Sequence, residues 1–284
     1  KNCNVVVIGG VTAGLEAACT AAEVGCNTFL LEKGSELGGL ASLISKIPAK
    51  NRLADFPHYL MHRAEQLENL YIFKNTEGTP ENIRKFHPNI IVSSTGSAPL
   101  LPPITGLKDR IDNENYNIYS ILGMISHIND FPKDLEGKKV VVVGGGAVGL
   151  DVVEFFADRN ADISIVEMMD QIGRDLDPVS KNDTKTMMKK HNVHQLTKTA
   201  LLEVKDSSFL VRGDGEPYEL PFEYGFVCLG MRAQGQLYQN LTEEFSSEDV
   251  EIMNIGDSQR ARRIIDGTQE GRNILTILEQ RGYL

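Results

Sequence analysis

Residues 4–38 read NVVVIGGVTAGLEAACTAAEVGCNTFLLEKGSELG, in which an apolar run leads through glycines into a helix-like segment and a second apolar run. This order predicts a strand, a tight turn, a helix and a strand, the unit that binds dinucleotides. Gly9 would allow the turn, and Gly14 would let the helix pack closely on the strand. Phosphates bind to the free N–H groups at such a helix N-terminus. Glu32 follows Gly14 by 18 residues, about where a carboxylate meets a ribose hydroxyl.

One position departs from the Gly-x-Gly-x-x-Gly pattern, because Val11 stands where the middle glycine is expected. That glycine normally lets the backbone approach the pyrophosphate. A β-branched side chain there predicts weaker pyrophosphate binding, through strain or displacement. The fold prediction does not depend on Val11, whereas the occupancy of the first site does.

A second copy of the pattern occupies residues 139–173, which read KVVVVGGGAVGLDVVEFFADRNADISIVEMMDQIG and align with residues 4–38 without a gap at an offset of 135. This copy has all three glycines, Gly144, Gly146 and Gly149, and Glu167 again follows the last of them by 18 residues. Two copies in register are far more specific than one. They predict an α/β protein with two Rossmann-like dinucleotide-binding domains.

The rest of the chain supports this division. An apolar strand ends at Thr95-Gly96 before a proline-rich linker, and a similar strand ends at Gly230. We expect the late strand at 250–255, which ends at Gly256-Asp257, to return to the first sheet. The predicted domains are 1–104 with 245–284, and 105–244. Further predictions are helices at 53–69 and 177–191, a strand at 70–74, a helix and loop at 116–131, a hairpin turn at 213–215 and one closing helix.

Composition limits the classes of function. The 284 residues suffice for two domains. The net charge of −10 argues against nucleic acid or an anionic membrane surface as the main partner. No apolar run approaches the ~18–20 residues of a membrane span, so a cytoplasmic location is predicted. The four cysteines form no Cys-x-x-Cys pair and the six histidines are scattered, which favours buried thiols and no metal site.

Five segments carry a resemblance to a known family: LGGLAS (37–42), TGSAPLLPPITGL (95–107), GKKVVVVGGGAVGLDVVEFFA (137–157), VEMMDQIG (166–173) and IGDSQRARRIIDGTQEG (255–271). They resemble the flavoprotein reductases with two dinucleotide-binding domains, over almost the whole chain. More narrowly, they are similar to the C-terminal half of NADH:flavin oxidoreductases related to 2,4-dienoyl-CoA and 2-enoate reductases. The resemblance implies an FAD domain split around an inserted NAD(P)H domain. It also implies a partner, either an N-terminal barrel with FMN and an iron–sulfur cluster or an electron-acceptor protein.

The resemblance assigns the FAD contacts to residues that follow strands of the first domain. The pyrophosphate would lie on Gly9, Gly10, Ala13 and Gly14, and the adenosine ribose on Glu32 beside Lys33. Gly38, Gly39 and Leu40 would lie along the pyrophosphate and the ribityl chain, Thr95 and Gly96 would pass close to the cofactor, and Gly256 and Asp257 would lie at the ribityl chain. Asp257 would accept a hydrogen bond from a ribityl hydroxyl, and the N-terminus of the helix after it would point at the flavin.

For the nicotinamide cofactor, the resemblance places the pyrophosphate on Gly144, Gly146, Ala147, Val148 and Gly149, the ribose 2′-OH on Glu167, and the passing dinucleotide at Gly230. A carboxylate repels a 2′-phosphate and accepts a bond from a free hydroxyl. Met168 and Met169 follow Glu167, and the nearest arginine is Arg174. NADH is therefore predicted over NADPH.

The leading hypothesis is an NADH-oxidising flavoprotein module that passes hydride to FAD and electrons on to a partner. The cofactors carry the chemistry, so no catalytic side chain is predicted. Residues 35–50 contain no cysteine, which disfavours disulfide reduction. Val11 motivates a rival, a non-catalytic or ADP-binding scaffold domain of a larger reductase. A free-standing ferredoxin or oxygen reductase is the third alternative.

Overall fold

The computed structural model describes residues 2–284. Its strands are β1 (Asn4–Ile8), β2 (Asn27–Leu31), β3 (Leu70–Phe73), β4 (Ile90–Ser93), β5 (Ser97–Pro99), β6 (Ile118–Tyr119), β7 (Lys139–Val143), β8 (Asp162–Val166), β9 (His194–Leu196), β10 (Ala200–Val204), β11 (Ser208–Arg212), β12 (Tyr218–Pro221), β13 (Tyr224–Val227), β14 (Met231–Ala233) and β15 (Glu251–Asn254). Its helices are α1 (Thr12–Glu23), α2 (Gly39–Ile44), α3 (Asp55–Glu65), α4 (Pro80–Arg84), α5 (Leu107–Arg110), α6 (Ile121–Ser126), α7 (Ala147–Ala157), α8 (Pro178–Lys190), α9 (Gln236–Glu244), α10 (Ile264–Arg272) and α11 (Ile274–Gln280). Two 3-10 turns cover Pro48–Ala54 and Gly256–Ser258.

The chain divides into two compact units. The first contains the chain up to Lys46 together with Lys50–Ala98 and Arg232–Leu284, and the second contains Ile47–Ala49 and Pro99–Met231. The cofactor-domain limits given by the sequence, 1–104 with 245–284 and 105–244, remain predictions. The compact units divide earlier in the chain, with α9 in the first unit, because Leu241 of α9 is buried in a cluster with Val6 of β1.

The first unit is built on a parallel sheet with the strand order β15-β4-β1-β2-β3. β1 lies at its centre, and Ile8 pairs with Leu31 of β2 on one side and Ser93 of β4 on the other. Val5, Val6 and Val7 have no exposed surface. A continuous apolar run is expected of a parallel strand whose two faces are both covered. The late strand β15 pairs with β4, which confirms that the chain returns to complete the first sheet.

The second unit contains a matching parallel sheet with the order β6-β13-β7-β8-β9. Val143 of β7 pairs with Val166 of β8 and Val227 of β13, as Ile8 does with its two neighbours. A separate antiparallel sheet, β10-β11-β12, contains the expected hairpin turn between β11 and β12. The internal repeat thus corresponds to four strands in the same order in each sheet, β4-β1-β2-β3 and β13-β7-β8-β9. The α/β prediction with two Rossmann-like domains is confirmed.

Small residues let α10 approach α1 in the first unit. A Cβ built on Gly271 would lie 2.7 Å from the Ala13 carbonyl oxygen, and one on Gly267 would lie 3.2 Å from the Ala13 Cβ. Side chains at these glycines would push the helices apart. Ala13 lies in the first turn of α1 and Gly267 in the first turn of α10. Both helices therefore begin near the same end of the sheet, where β1 and β15 end.

Two sequence expectations for local structure need correction. Residues 116–131, expected as a helix and loop, also contain the edge strand β6, whose two residues are too few to show a periodic pattern. The single closing helix is two helices, α10 and α11, which meet at Asn273. Ile274 and Leu278 are buried, whereas Ile265 is exposed.

The four cysteines are buried free thiols. Burial raises the pKa of Cys19 and of Cys228 to about 12, so few thiolates form at these two positions near neutral pH. We expect a thiol reagent such as 5,5′-dithiobis(2-nitrobenzoate) to label none of the four within minutes at pH 8. All four should react once guanidinium unfolds the chain. Rapid labelling of the folded protein, counted by mass spectrometry, would contradict the burial.

Within residues 2–284, no helix has the length and apolar character needed to cross a membrane.

Candidate nucleotide-binding sites

The first glycine turn joins β1 to α1 and leaves no room for side chains at two positions. Gly9 has a φ of +99°, and a Cβ built on it would lie 2.1 Å from the Ser94 carbonyl oxygen. A Cβ on Gly14 would lie 2.1 Å from the Gly9 oxygen. Val11 is the N-cap of α1 and its side chain accepts no capping bond. The first N–H groups of α1 are thus available to an anion.

Glu32 is held beside this turn by two backbone bonds. Its carboxylate accepts from the Gly10 N–H at 2.7 Å and from the Gly34 N–H at 2.6 Å. An ionised carboxylate has about four lone-pair positions, so acceptor capacity remains for a ribose hydroxyl. The position at the end of β2 and the fixed orientation both suit that contact.

Two cavities of the first unit lie on either side of Val11. The larger, about 840 Å³, and the smaller, about 240 Å³, share only this residue in their linings. The large cavity is lined by Gly9, Glu32, Lys33, Gly39 and Thr95, among others, and the small cavity by Ala13, Gly38, Leu40, Gly256 and Asp257, among others. The structure thus gathers most of the residues proposed for FAD around one pair of cavities.

The Asp257 carboxylate is also held in place. It accepts from the Ser97 hydroxyl at 3.1 Å and from the Arg262 N–H at 3.0 Å. The N-terminus of α10 lies at the same cavity, where Arg263 and Ile264 belong to the lining. Asp257 and the start of α10 therefore meet where the sequence assigned the ribityl chain and the flavin ring, and those roles stay proposals.

The second glycine turn, in the second unit, repeats the first. A Cβ on Gly144 would lie 1.9 Å from the Cys228 carbonyl oxygen, and one on Gly149 would lie 1.8 Å from the Gly144 oxygen. The Glu167 carboxylate accepts from the Gly145 and Met169 N–H groups, both at 2.8 Å. Ala147 and Val148 form the first residues of α7, which no side chain caps.

The middle of this second turn is open. A Cβ built on Gly146 or on Gly230 would meet no atom within 4 Å. In the first copy, by contrast, Val11 Cγ1 would lie 2.6 Å from a Cβ built on Gly39 and 3.5 Å from one on Gly96. Val11 therefore fills part of a space whose counterpart in the second copy is open.

Sequence reasoning missed three residues that line or contact the first site, Ser94, Gln234 and Glu77. The Ser94 hydroxyl donates to the Ile8 and Gly9 oxygens at 2.8 and 3.0 Å, and Thr95 donates to the Gln234 oxygen at 2.7 Å. Lys33 is exposed and its Nζ lies 3.7 Å from Glu77. Each of these contacts joins residues that are distant in the chain, so the sequence does not show it. Only the polar residues Ser94 and Thr95, directly after β4, could have suggested a site here.

A model of the pyridine nucleotide-disulphide oxidoreductase family matches residues 3–252. The chain belongs to this family. Among curated members of similar sequence, an NADH oxidase of Thermoanaerobacter brockii is 28% identical over 94% of this chain and 40% of its own length. A metal reductase of Desulforamulus reducens is 27% identical over 95% of this chain and 43% of its own length. The chain thus spans about two fifths of the length of these relatives.

Several solved structures have the same fold as this chain. A 2-naphthoyl-CoA reductase superposes with a TM-score of 0.80 at 23% identity, over 96% of this chain and 39% of that one. A thioredoxin reductase of T. acidophilum gives 0.72 at 17% identity, over 99% and 98% of the two chains. Family membership confirms the predicted fold class, with the Rossmann-like FAD- and NAD(P)-binding folds of this family.

Proposed function

We propose that the chain is the nucleotide-binding part of an NADH-oxidising flavoprotein, with NADH on the second unit and FAD on the first. Electrons then pass to a partner module. The observation that carries the proposal is the matched pair of sites. Each has a glycine turn, an uncapped helix N-terminus and a glutamate fixed by two backbone N–H groups.

The described residues of the first unit fit FAD at both ends. Glu32 offers an acceptor for the adenosine ribose at the large cavity, and Asp257 offers one for the ribityl chain at the small cavity. The flavin, when bound, supplies the hydride acceptor. The chain's own groups bind and orient it: the N-terminus of α1 attracts the phosphates, and that of α10 favours negative charge on the ring. Val11, between the two cavities, is the one departure.

NADH is the proposed reductant because of Glu167. Its carboxylate is fixed by the Gly145 and Met169 N–H groups, so it cannot turn away from a 2′-phosphate without breaking both bonds. Repulsion of that phosphate disfavours NADPH. The free ribose hydroxyl of NADH can instead donate to the carboxylate.

The finer relationship, to the C-terminal half of enoate and dienoyl-CoA reductases, is part of the same proposal. A bilirubin reductase of Mediterraneibacter gnavus is 28% identical over 94% of this chain and 39% of its own length, in line with a module of a larger reductase. We propose an N-terminal FMN and iron–sulfur barrel, or an electron-acceptor protein, as the partner, and the cytoplasm as the location.

The test uses the full chain, purified and supplied with FAD. We expect a yellow protein that releases FAD on denaturation and whose flavin absorbance bleaches when NADH is added without oxygen. NADPH should bleach it more slowly. A chain that binds neither FAD nor NADH, measured by equilibrium dialysis, would sink the proposal.

A second function, an adenosine-nucleotide scaffold domain of a larger reductase, is favoured by Val11 alone. In that case the protein as purified would release ADP, or no nucleotide, and NADH would bleach no flavin. Chromatography of the nucleotide released on denaturation separates the two functions. Full occupancy by FAD would reject the scaffold.

A further inference from the structure

We propose that Glu270 is a positioning residue of the first site, which holds Asp257 in place at the small cavity without contacting a ligand. Glu270 lies in the last turn of α10 and does not line that cavity, whereas Asp257 does. The inference rests on the proposed function in taking the small cavity as part of the FAD site. It adds the group on which the orientation of the Asp257 carboxylate depends.

The Glu270 carboxylate contacts both ends of the loop that carries Asp257. Its Oε2 accepts a hydrogen bond from the Gly256 N–H at 2.7 Å. Its Oε1 accepts from Nη2 of Arg262, at the other end of the loop. β15 ends at Asn254, so the N–H of the buried Gly256 lies beyond the strand pairing and needs another acceptor. One side chain therefore links the two ends of residues 256–262.

The same loop orients the Asp257 carboxylate. Arg262, whose guanidinium is held by Glu270, donates its backbone N–H to Asp257 Oδ1 at 3.0 Å. The Ser97 hydroxyl donates to Oδ2 at 3.1 Å. Because Asp257 directly follows Gly256, Glu270 fixes the backbone before Asp257 and, through Arg262, a donor to its carboxylate. Loss of Glu270 would keep the Ser97 bond and loosen the others.

Two glycines let Glu270 reach the loop. A Cβ built on Gly267 would lie 3.3 Å from the Gly256 Cα, so the backbone of α10 passes close to the loop there. Glu270 lies on the same face of the helix, because residues three apart are neighbours. The exposed fraction of its side chain is 21%, and that of Arg262 is 29%, so water reaches the ion pair only in part.

The helix itself gives no reason for a glutamate at this position. Glu270 lies near the C-terminus of α10, where the helix dipole disfavours a negative charge. The contacts to Gly256 and Arg262 supply the reason. A residue that departs from a local rule in this way is expected where it serves a site.

The experiment measures FAD binding to the full chain by flavin fluorescence, in a double-mutant cycle between Glu270 and Asp257. We expect Glu270→Ala to weaken FAD binding on the order of 10-fold, and Asp257→Ala about 10- to 100-fold. The double variant should bind FAD no more weakly than Asp257→Ala alone, because Glu270 acts through Asp257. NADH affinity should stay unchanged in all three variants.

A second measurement needs no cofactor. In Glu270→Ala without FAD, amide hydrogen exchange of the peptide that covers 255–263 should accelerate on the order of 10-fold. Glu270→Gln should lie between this variant and wild type, since its amide oxygen can still accept from Gly256, and it takes the place of the alanine variant in the cycle if that variant folds poorly. Glu279→Ala removes an exposed carboxylate from α11. It is the matched control and should change neither measurement.

The outcomes separate the inference from the proposed function. If Glu270→Ala binds FAD as wild type does, or if its effect multiplies with that of Asp257→Ala, the inference fails while the proposed function stands. Unchanged amide exchange in the loop would also overturn it. If wild type binds NADH but no form binds FAD, the small cavity is not part of an FAD site, and both proposals fail.

Discussion

Replacing Glu16 by glutamine is expected to lower the free energy of unfolding by about 3 kcal/mol. Glu16 lies in the middle of α1 with only 3% of its side chain exposed. Its Oε1 accepts from Arg63 Nη1 at 2.9 Å and from Arg272 Nε at 2.9 Å, which ties α3 and α10 to α1. The glutamine keeps the shape but removes the charge, so the largely buried guanidinium of Arg63 loses one of its two carboxylate partners. Urea unfolding followed by circular dichroism measures the loss.

The matched control is Glu23→Gln on the same helix. Glu23 also bonds to Arg63, and that bond lowers its pKa, but 41% of its side chain is exposed. Ion pairs reached by solvent contribute about 0–1 kcal/mol, so this variant should unfold within about 1 kcal/mol of wild type. If the two variants lose the same free energy of unfolding, the burial of Glu16 does not determine the strength of its ion pairs.

The sequence predicted the two sheets because parallel strands covered on both faces appear as apolar runs. The repeat at an offset of 135 identified β7 as the equivalent of β1 and β8 as the equivalent of β2. The fifth strands were harder to predict. β15 follows the other strands of its sheet in the chain, whereas β6 precedes β7, so the repeat does not extend to them. An edge strand as short as β6 forms through its pairing with β13. The sequence of β6 itself contains no pattern that predicts this pairing.

In the candidate sites too, local features were predicted from the sequence and contacts between distant residues were not. Glycines, acids and helix starts are local signals, and the structure places them together in each turn. The groups that confine the turns are the backbone at Ser94 and at Cys228. Each directly follows a neighbouring strand, β4 or β13, that only the fold brings near. The sequence marked Val11 as unusual. It did not show that the side chain separates two cavities, because that depends on Gly39, which is distant in the chain.

Replacing Glu167 by alanine is expected to weaken NADH binding by about 10- to 100-fold, the value of one lost bond to a charged acceptor. The carboxylate accepts from two backbone N–H groups at 2.8 Å. The variant thus loses both the ribose acceptor and the bonds that hold the second turn. NADPH should lose much less, because removal of the negative charge also removes its repulsion of the 2′-phosphate. The ratio of NADH to NADPH affinity, from titrations of the full chain, should therefore fall.

Glu32→Ala provides the control, since Glu32 makes the equivalent pair of bonds, to Gly10 and Gly34, in the first unit. It should leave NADH affinity unchanged and weaken FAD binding, because we propose that Glu32 holds the adenosine ribose of FAD and Glu167 that of NADH. If Glu32→Ala weakens NADH as much as Glu167→Ala does, the sites are not separate in their ligands. If Glu167→Ala weakens NADH and NADPH by the same factor, the acid supports the turn without reading the ribose, and the preference for NADH must come from other residues.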